Sequence, residues 1–155
     1  MHVKILVTLA LCLQLSTAAV AKADDYVPWQ EASFTTNMPA PYGRVQFLLK
    51  VDNDGKLADV ALQRDGGAMR VPSSAWSDVK AVQLGQVRVT YKMGFDGTPW
   101  MYLHIPYGTP LAERGRREWP VLVIAFRGER AVYRAVNIPK PGGGYVSSTV
   151  DLPRD

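Results

Sequence analysis

Apolar and polar side chains alternate strictly over residues 44–51, and this alternation restricts the fold more than any other stretch of the chain. One face of the segment holds Val45, Phe47, Leu49 and Val51. The other face is mostly polar. Because successive side chains of a β-strand point to opposite faces, the pattern predicts a half-buried strand.

A turn and a partner strand follow directly. Residues 52–55 read Asp-Asn-Asp-Gly, which are residue types that tolerate the positive φ of tight hairpins. Residues 57–63 then return as a second strand, for which we expect Ala58, Val60 and Leu62 to point inward. Together the two segments predict an antiparallel hairpin.

Five later segments also have strand patterns: residues 86–92, 100–105, 121–126, 131–136 and 145–152. Residues 121–126 are apolar on both faces, which is typical of a central strand. The connections are short, among them a turn at Asp96-Gly97 and a glycine-rich loop at 139–144 that we expect to be mobile. Neighbouring strands should therefore be antiparallel.

Two segments depart from the strand pattern. Trp76, Val79 and Val82 follow a serine pair at helical spacing, which predicts one short, serine-capped helix near residues 73–83, although a strand competes there. Residues 24–42 are proline-rich and predict an extended arm or irregular edge segment. The chain should therefore be mainly β: a single-domain antiparallel sheet folded as a sandwich or a small barrel.

The first 23 residues have the order of a secretory signal peptide. Lys4 precedes an apolar run over residues 5–15, and the segment ends in Ala21-Lys22-Ala23. The run is shorter than the roughly 20 residues of a spanning helix. We expect cleavage after Ala23, with Ala21 as the alternative, and one soluble domain over residues 24–155 in the periplasm or outside the cell.

Cysteine content and charge exclude several function classes. The only cysteine, Cys12, lies in the predicted signal peptide, so the mature chain has no thiol for a disulfide, a nucleophile or a metal site. Loss of Lys4 and Lys22 leaves 16 basic against 14 acidic side chains, a balance too even for a nucleic-acid-binding protein. His104 has no serine motif to serve. We therefore expect no catalytic residue, no metal and no cofactor.

The strongest candidate for a binding site lies within a predicted long polar loop, residues 107–119. Its members are Arg114, Arg116, Arg117 and Trp119. Arginine and tryptophan are enriched at the energetic centres of interfaces, and guanidinium groups bind carboxylates through paired hydrogen bonds. The alternative is a solvated loop whose arginines pair with Glu113 and Glu118.

A second candidate is the face that Trp100, Tyr102 and His104 share on the predicted strand 100–105. Exposed, these side chains would form a binding platform. Covered by a second layer, they would belong to the core, which is the outcome we expect.

One stretch resembles the opening of TonB-type C-terminal domains. The resemblance is carried by Gly43-Arg44-Val45-Gln46-Phe47, by residues 51–60 and by the predicted helix near Ala75. It implies a strand–turn–strand unit followed by a helix. The later segments predict more strands than that small fold contains, so no family is assigned.

These features predict an exported, non-catalytic protein that binds another envelope or secreted protein, as inhibitors and immunity proteins do. They predict neither nucleic-acid binding nor a membrane span. One alternative is an envelope structural or assembly factor that offers a sheet edge to its partner. A less favoured one is a small hydrolase with two carboxylates, drawn from Asp96, Glu113, Glu118 and Glu129.

Overall fold

The computed structural model describes residues 29–38, 43–65 and 67–153. The predicted signal peptide and its cleavage site lie outside these residues. The described chain is mainly antiparallel β, as predicted. Its strands are β1 (Trp29–Asn37), β2 (Arg44–Asp52), β3 (Leu57–Arg64), β4 (Gly67–Arg70), β5 (Arg88–Met93), β6 (Pro99–Pro106), β7 (Leu111–Glu113), β8 (Arg116–Glu118), β9 (Val121–Arg127), β10 (Arg130–Pro139) and β11 (Tyr145–Asp151).

Two large sheets share one apolar core. The first has four strands in the order β1-β2-β3-β4, and the second has five in the order β11-β10-β9-β6-β5. Phe47 of the first sheet meets Phe126 of the second edge to face, with ring centroids 5.2 Å apart. The two sheets therefore face each other across one core, which is the arrangement of a β-sandwich. A separate two-stranded sheet is formed by β7 and β8.

The predicted β2–β3 hairpin is confirmed, with one change at its turn. The four predicted inward residues of β2 are all buried. A bulge shifts the pairing between Lys50 and Val51, so that Val51 lies opposite Leu57. For this reason Leu57 is buried in the core, whereas Ala58, which we expected to point inward, is only half-buried.

The arm predicted over residues 24–42 is, in its described part, a regular edge strand. β1 pairs with β2 over nine residues, from Trp29 opposite Asp52 to Asn37 opposite Arg44. An edge strand needs hydrogen-bond partners on one side only, so prolines beside it do not prevent the pairing. Phe34 lies opposite Phe47 and packs half-buried against the core.

The predicted helix near residues 73–83 is wrong in length and in capping. The structure has one 3-10 turn at Ser73–Ala75, without a side-chain cap, and a second at Leu84–Gln86. Ala81 has a φ of 54°, which an α-helix cannot continue through.

Backbone pairing with the β2–β3 turn explains this departure. Leu57 donates its N–H to the Val79 carbonyl at 3.1 Å, and Val82 donates to Gly55 at 3.1 Å. These two backbone groups are therefore not available for a helix. The side chains of Trp76 and Val79 are nevertheless buried in the core, so their spacing of three residues does not require a helix.

The later strands follow the prediction, with one addition. β9 is the central strand of its sheet, and Met101, Leu103 and Ile105 of β6 are buried as expected. The predicted polar loop at 107–119 instead contains the β7–β8 hairpin. No helix in the described part of the chain is long and apolar enough to cross a membrane.

Candidate functional site

The segment with the three arginines is a tight hairpin. β7 and β8 are joined by Arg114 and Gly115, whose φ angles are 49° and 75°. Positive φ at both central residues is the geometry of two-residue hairpin turns, where asparagine usually precedes the glycine. Arginine in that place gives a weak turn signal, which is why the sequence predicted a loop. We call residues 111–118 the arginine hairpin.

Strand register sorts the side chains of the arginine hairpin onto two faces. Leu111 lies opposite Glu118, and Glu113 lies opposite Arg116, so these four side chains share one face. Arg117 projects from the other face, opposite Ala112 on the facing strand. The two carboxylates are therefore diagonal neighbours on the same face.

A hydrogen bond fixes the arginine hairpin to the turn between β10 and β11. Gly142 donates its backbone N–H to Oε2 of Glu113 at 2.8 Å. The two turns enclose a cleft of about 330 Å³. It is lined by Leu111, Glu113, Arg114, Arg116, Glu118, Lys140, Gly142 and Gly143. Residues 139–144, which we expected to be a mobile loop, thus form one wall of this cleft.

The three arginines of this hairpin have no ionic partner among the described residues. Arg114, Arg116 and Arg117 are exposed, and none of them takes part in an ion pair between described residues. The alternative in which they pair with Glu113 and Glu118 is therefore not what the geometry shows. Arginine charges without partners leave the hairpin free to bind an anionic group.

Trp119 is positioned by the chain that leaves the arginine hairpin. It is half-buried, so part of its indole is accessible. Next to it, Pro120 accepts a hydrogen bond from the Tyr107 N–H at 3.0 Å, which holds the entry and exit of the hairpin together. Trp119 therefore directly follows the hairpin in the chain, at a backbone position that this hydrogen bond helps to fix.

The second candidate surface is an aromatic face on the outside of the five-stranded sheet. Trp100, Tyr102 and His104 of β6 are half-exposed, and no described segment covers them, so the expectation that a second layer buries them is wrong. Tyr133 of β10 joins them, with its ring centroid 6.4 Å from that of Trp100. Ala125 lies beneath these rings and is fully buried.

Sequence reasoning missed Tyr133 because a bulge changes its face. The pairing of β9 with β10 shifts between Ala131 and Tyr133, so Ala131 points into the core while Tyr133 points outward. Burial raises the pKa of the Tyr133 phenol, and neighbouring Tyr102 raises it further. The Tyr133 phenol therefore stays protonated near neutral pH and can donate a hydrogen bond from the aromatic face.

His104 lies at the side of the aromatic face with a neutral partner. Its Nε2 is 2.9 Å from Oγ1 of Thr90. Burial lowers the pKa of His104 below its ordinary value of 6.5, and the cation of Arg88 lowers it further. His104 is paired with neither a carboxylate nor a serine, so its geometry is that of a structural hydrogen bond.

The two candidate surfaces lie apart. Trp100 and Arg127 are paired at one end of the β6–β9 ladder, and Pro106 is at the other end, from which the chain leaves for the arginine hairpin. Pro106 is six positions after Trp100 along β6, a length of about 20 Å. The structure therefore does not bring Trp100 to the arginines, and each surface must be considered by itself.

Of the four acids considered for hydrolysis, only two share a cleft. Asp96 is paired with Arg127, and Glu129 with Arg64. Glu113 and Glu118 both line the cleft at the arginine hairpin. Within the described ranges no group of three or more His, Cys, Asp or Glu side chains is arranged to hold a metal ion.

Comparison with known proteins found no match: no protein-family model, no curated protein and no solved structure is similar to this chain. The function is therefore argued from the two surfaces and from the sequence alone.

Proposed function

We propose that this protein is exported and non-catalytic, and that its arginine hairpin binds an acidic surface of another envelope or secreted protein. Inhibitors and immunity proteins act in this way. The observation that carries the proposal is the display of Arg114, Arg116 and Arg117, exposed and without ionic partners in the described ranges, on a hairpin fixed by Glu113. The signal-peptide pattern of residues 1–23 supports export.

Physical chemistry favours binding over a purely structural role for this hairpin. Its arginines form no ion pair with the described residues, whereas a partner's carboxylates would receive paired, charge-assisted hydrogen bonds. The bond between Gly142 and Glu113 orders the hairpin in advance, which lowers the entropic cost of association. Exposed like charges also attract an acidic partner over about 8–10 Å at physiological salt, which speeds association.

Site-specific photo-cross-linking in the exporting cell tests whether the hairpin meets a partner. A photo-reactive benzoyl-phenylalanine replaces Arg117 in one strain and Lys56, an exposed residue of the β2–β3 turn, in another. We expect a discrete adduct with one protein at position 117 and none at position 56. The same adducts at both positions, or none at either, would contradict the proposal.

Affinity measurements with the identified partner then test the chemistry. The double variant Arg116→Ala with Arg117→Ala should lose about tenfold or more in affinity and should show a weaker dependence on salt. The matched control is Arg44→Ala with Lys56→Ala, which removes two exposed cations that lie in neither candidate surface and have no ionic partner among the described residues. If both double variants lose affinity equally, only net charge matters, and the hairpin is not the interface.

A second candidate function, a carboxylate-dependent hydrolase, is favoured by the placement of Glu113 and Glu118. Diagonal neighbours on a strand pair lie about 7–8 Å apart, which falls within the separation of about 6.5–9.5 Å used by inverting glycosidases. It ranks second because the cleft is lined by cations and lacks the apolar pocket typical of a general acid. Hydrolysis of a cell-wall polysaccharide that Glu113→Gln and Glu118→Gln each reduce a hundredfold would support it.

A further inference from the structure

β11 is an edge strand with none of the usual protection. Among the described residues it pairs only with β10, and all seven of its residues are exposed, including Val146 and Val150 at 56% and 58%. Proteins normally blunt such edges with lysine, proline or a bulge. β11 has none of these, and its one charged residue, Asp151, lies at its end. An unprotected edge of this kind is a template for another strand.

The backbone hydrogen bonds show which groups of β11 face outward. Leu152 donates its N–H to the Val132 carbonyl at 2.9 Å, and Gly144 accepts from Lys140 at 3.0 Å. Bonded pairs recur at every second residue of an antiparallel ladder, so the even-numbered residues of β11 face β10. The outward-pointing N–H and C=O groups therefore belong to Tyr145, Ser147, Thr149 and Asp151.

We propose that a second copy of this chain pairs with that edge, its β11 running antiparallel about a two-fold axis at Ser148. This register pairs Ser147 with Thr149, Tyr145 with Asp151 and Val146 with Val150 of the other copy. Each outward-facing residue then meets an outward-facing residue, which the hydrogen-bond pattern requires. Two-fold axes at positions 147 or 149 also meet that requirement, but they leave strand residues unpaired.

Side-chain chemistry selects the same register. The segment from Val146 to Val150 reads Val-Ser-Ser-Thr-Val, nearly the same in both directions, as an interface between identical copies demands. Valine then packs on valine next to Ile138, itself 49% exposed and opposite Val146 on β10. Each Asp151 meets a tyrosine rather than its own copy, so no like charges are opposed. The inference does not rest on the proposed function.

Cysteine cross-linking of the purified protein reads the register directly. In a chain with Cys12→Ser, Ser148→Cys places two thiols at the two-fold axis, where Cα atoms of a non-hydrogen-bonded pair lie about 4.5 Å apart, within disulfide range. In the matched controls, Ser147→Cys and Thr149→Cys, the two substituted residues are diagonal neighbours whose Cα atoms lie about 7–8 Å apart, beyond disulfide range. We expect a disulfide-linked dimer from position 148 and none from the controls.

A reversible readout accompanies the cross-links. Sedimentation equilibrium should show a dimer for the unmodified chain, and Ser148→Lys, which sets two lysines face to face, should weaken dimerisation about tenfold or more. Ser147→Lys adds the same charge opposite Thr149 and should weaken it much less. A monomer at every concentration, no disulfide-linked dimer from position 148, or equal cross-linking at all three positions would overturn the proposal.

Discussion

Phe47→Ala is the most direct test of how the two large sheets are joined. Phe47 is fully buried on β2, and its ring contacts Phe126 of β9 edge to face at 5.2 Å. Truncation removes the aromatic ring from the centre of the shared core and leaves a cavity that neighbouring strands cannot fill without bending. The variant should therefore be much less stable than the unmodified chain.

The expected magnitude follows from this burial. Replacing a core phenylalanine by alanine costs about 3–5 kcal/mol, and loss of an aromatic pair adds about 0.5–1.5 kcal/mol. Because Phe47 is fully buried and has such a partner, we expect the upper part of the first range, about 4–5 kcal/mol. Folded domains are stable by only about 5–15 kcal/mol, so the variant should lie near its folding limit.

Urea denaturation followed by tryptophan fluorescence measures the change. With a dependence of about 2 kcal/mol per molar urea, the midpoint should fall by about 2 M. Phe95→Ala is the matched control, because the same atoms are removed from a fully exposed side chain. Its free energy of unfolding should change by no more than about 0.5 kcal/mol.

A decrease of less than about 1 kcal/mol in the free energy of unfolding for Phe47→Ala would refute the reasoning, since truncation of a buried phenylalanine costs more than that. It would mean that the β2 side chains are shifted by one residue and that Phe47 faces solvent. The double variant with Phe126→Ala adds a second check. A coupling near zero would show that the two rings do not meet.

Three other outcomes are expected. Two hydrogen bonds from Arg134 lower the pKa of Asp78, so the ion pair stabilises the fold at pH values above 3.8, the ordinary pKa of an aspartate. This stabilisation should be lost as the pH falls through the lowered pKa. The urea midpoint of Asp78→Asn should therefore depend less on pH in that acidic range than the midpoint of the unmodified chain. Because the pKa of His104 is lowered in the folded chain, the free energy of unfolding should be highest above pH 6.5 and should fall on acidification below it. His104→Gln should abolish this pH dependence and should change any binding or turnover by no more than a few-fold. Intact mass of the exported protein should match cleavage after Ala23, and a lipid on Cys12 would contradict that.

Side-chain alternation and turn residues predict those parts of the fold that depend only on residues close together in the sequence. The β2–β3 hairpin and the inward face of β6 follow from alternation and turn chemistry alone. The helix near residues 73–83 was wrong because the backbone of Val79 and Val82 pairs with a turn more than twenty residues earlier. β1 was predicted as an irregular segment because prolines lie on both sides of it, although an edge strand needs hydrogen-bond partners on one side only.

The candidate site was less predictable, because its geometry depends on contacts between distant segments. Composition identified the arginines and Trp119, but the bond from Gly142 to Glu113 joins turns that are 29 residues apart. Exposure of the Trp100 face depends on which layers cover the sheet, which alternation cannot reveal. Tyr133 joined that face through a bulge, for which a single sequence gives no signal.

The two edges of the five-stranded sheet differ in charge, and that difference limits how large an assembly can become. At the edge away from β11, the outer face of β5 carries Arg88, Thr90 and Lys92, all exposed. Antiparallel pairing of two β5 strands about Thr90 would set Arg88 against Lys92 of the next copy, and opposed cations repel. Dimers joined through β11 present β5 at both ends. Repulsion between these cations disfavours a further copy at β5, so we expect growth through the five-stranded sheet to stop at the dimer.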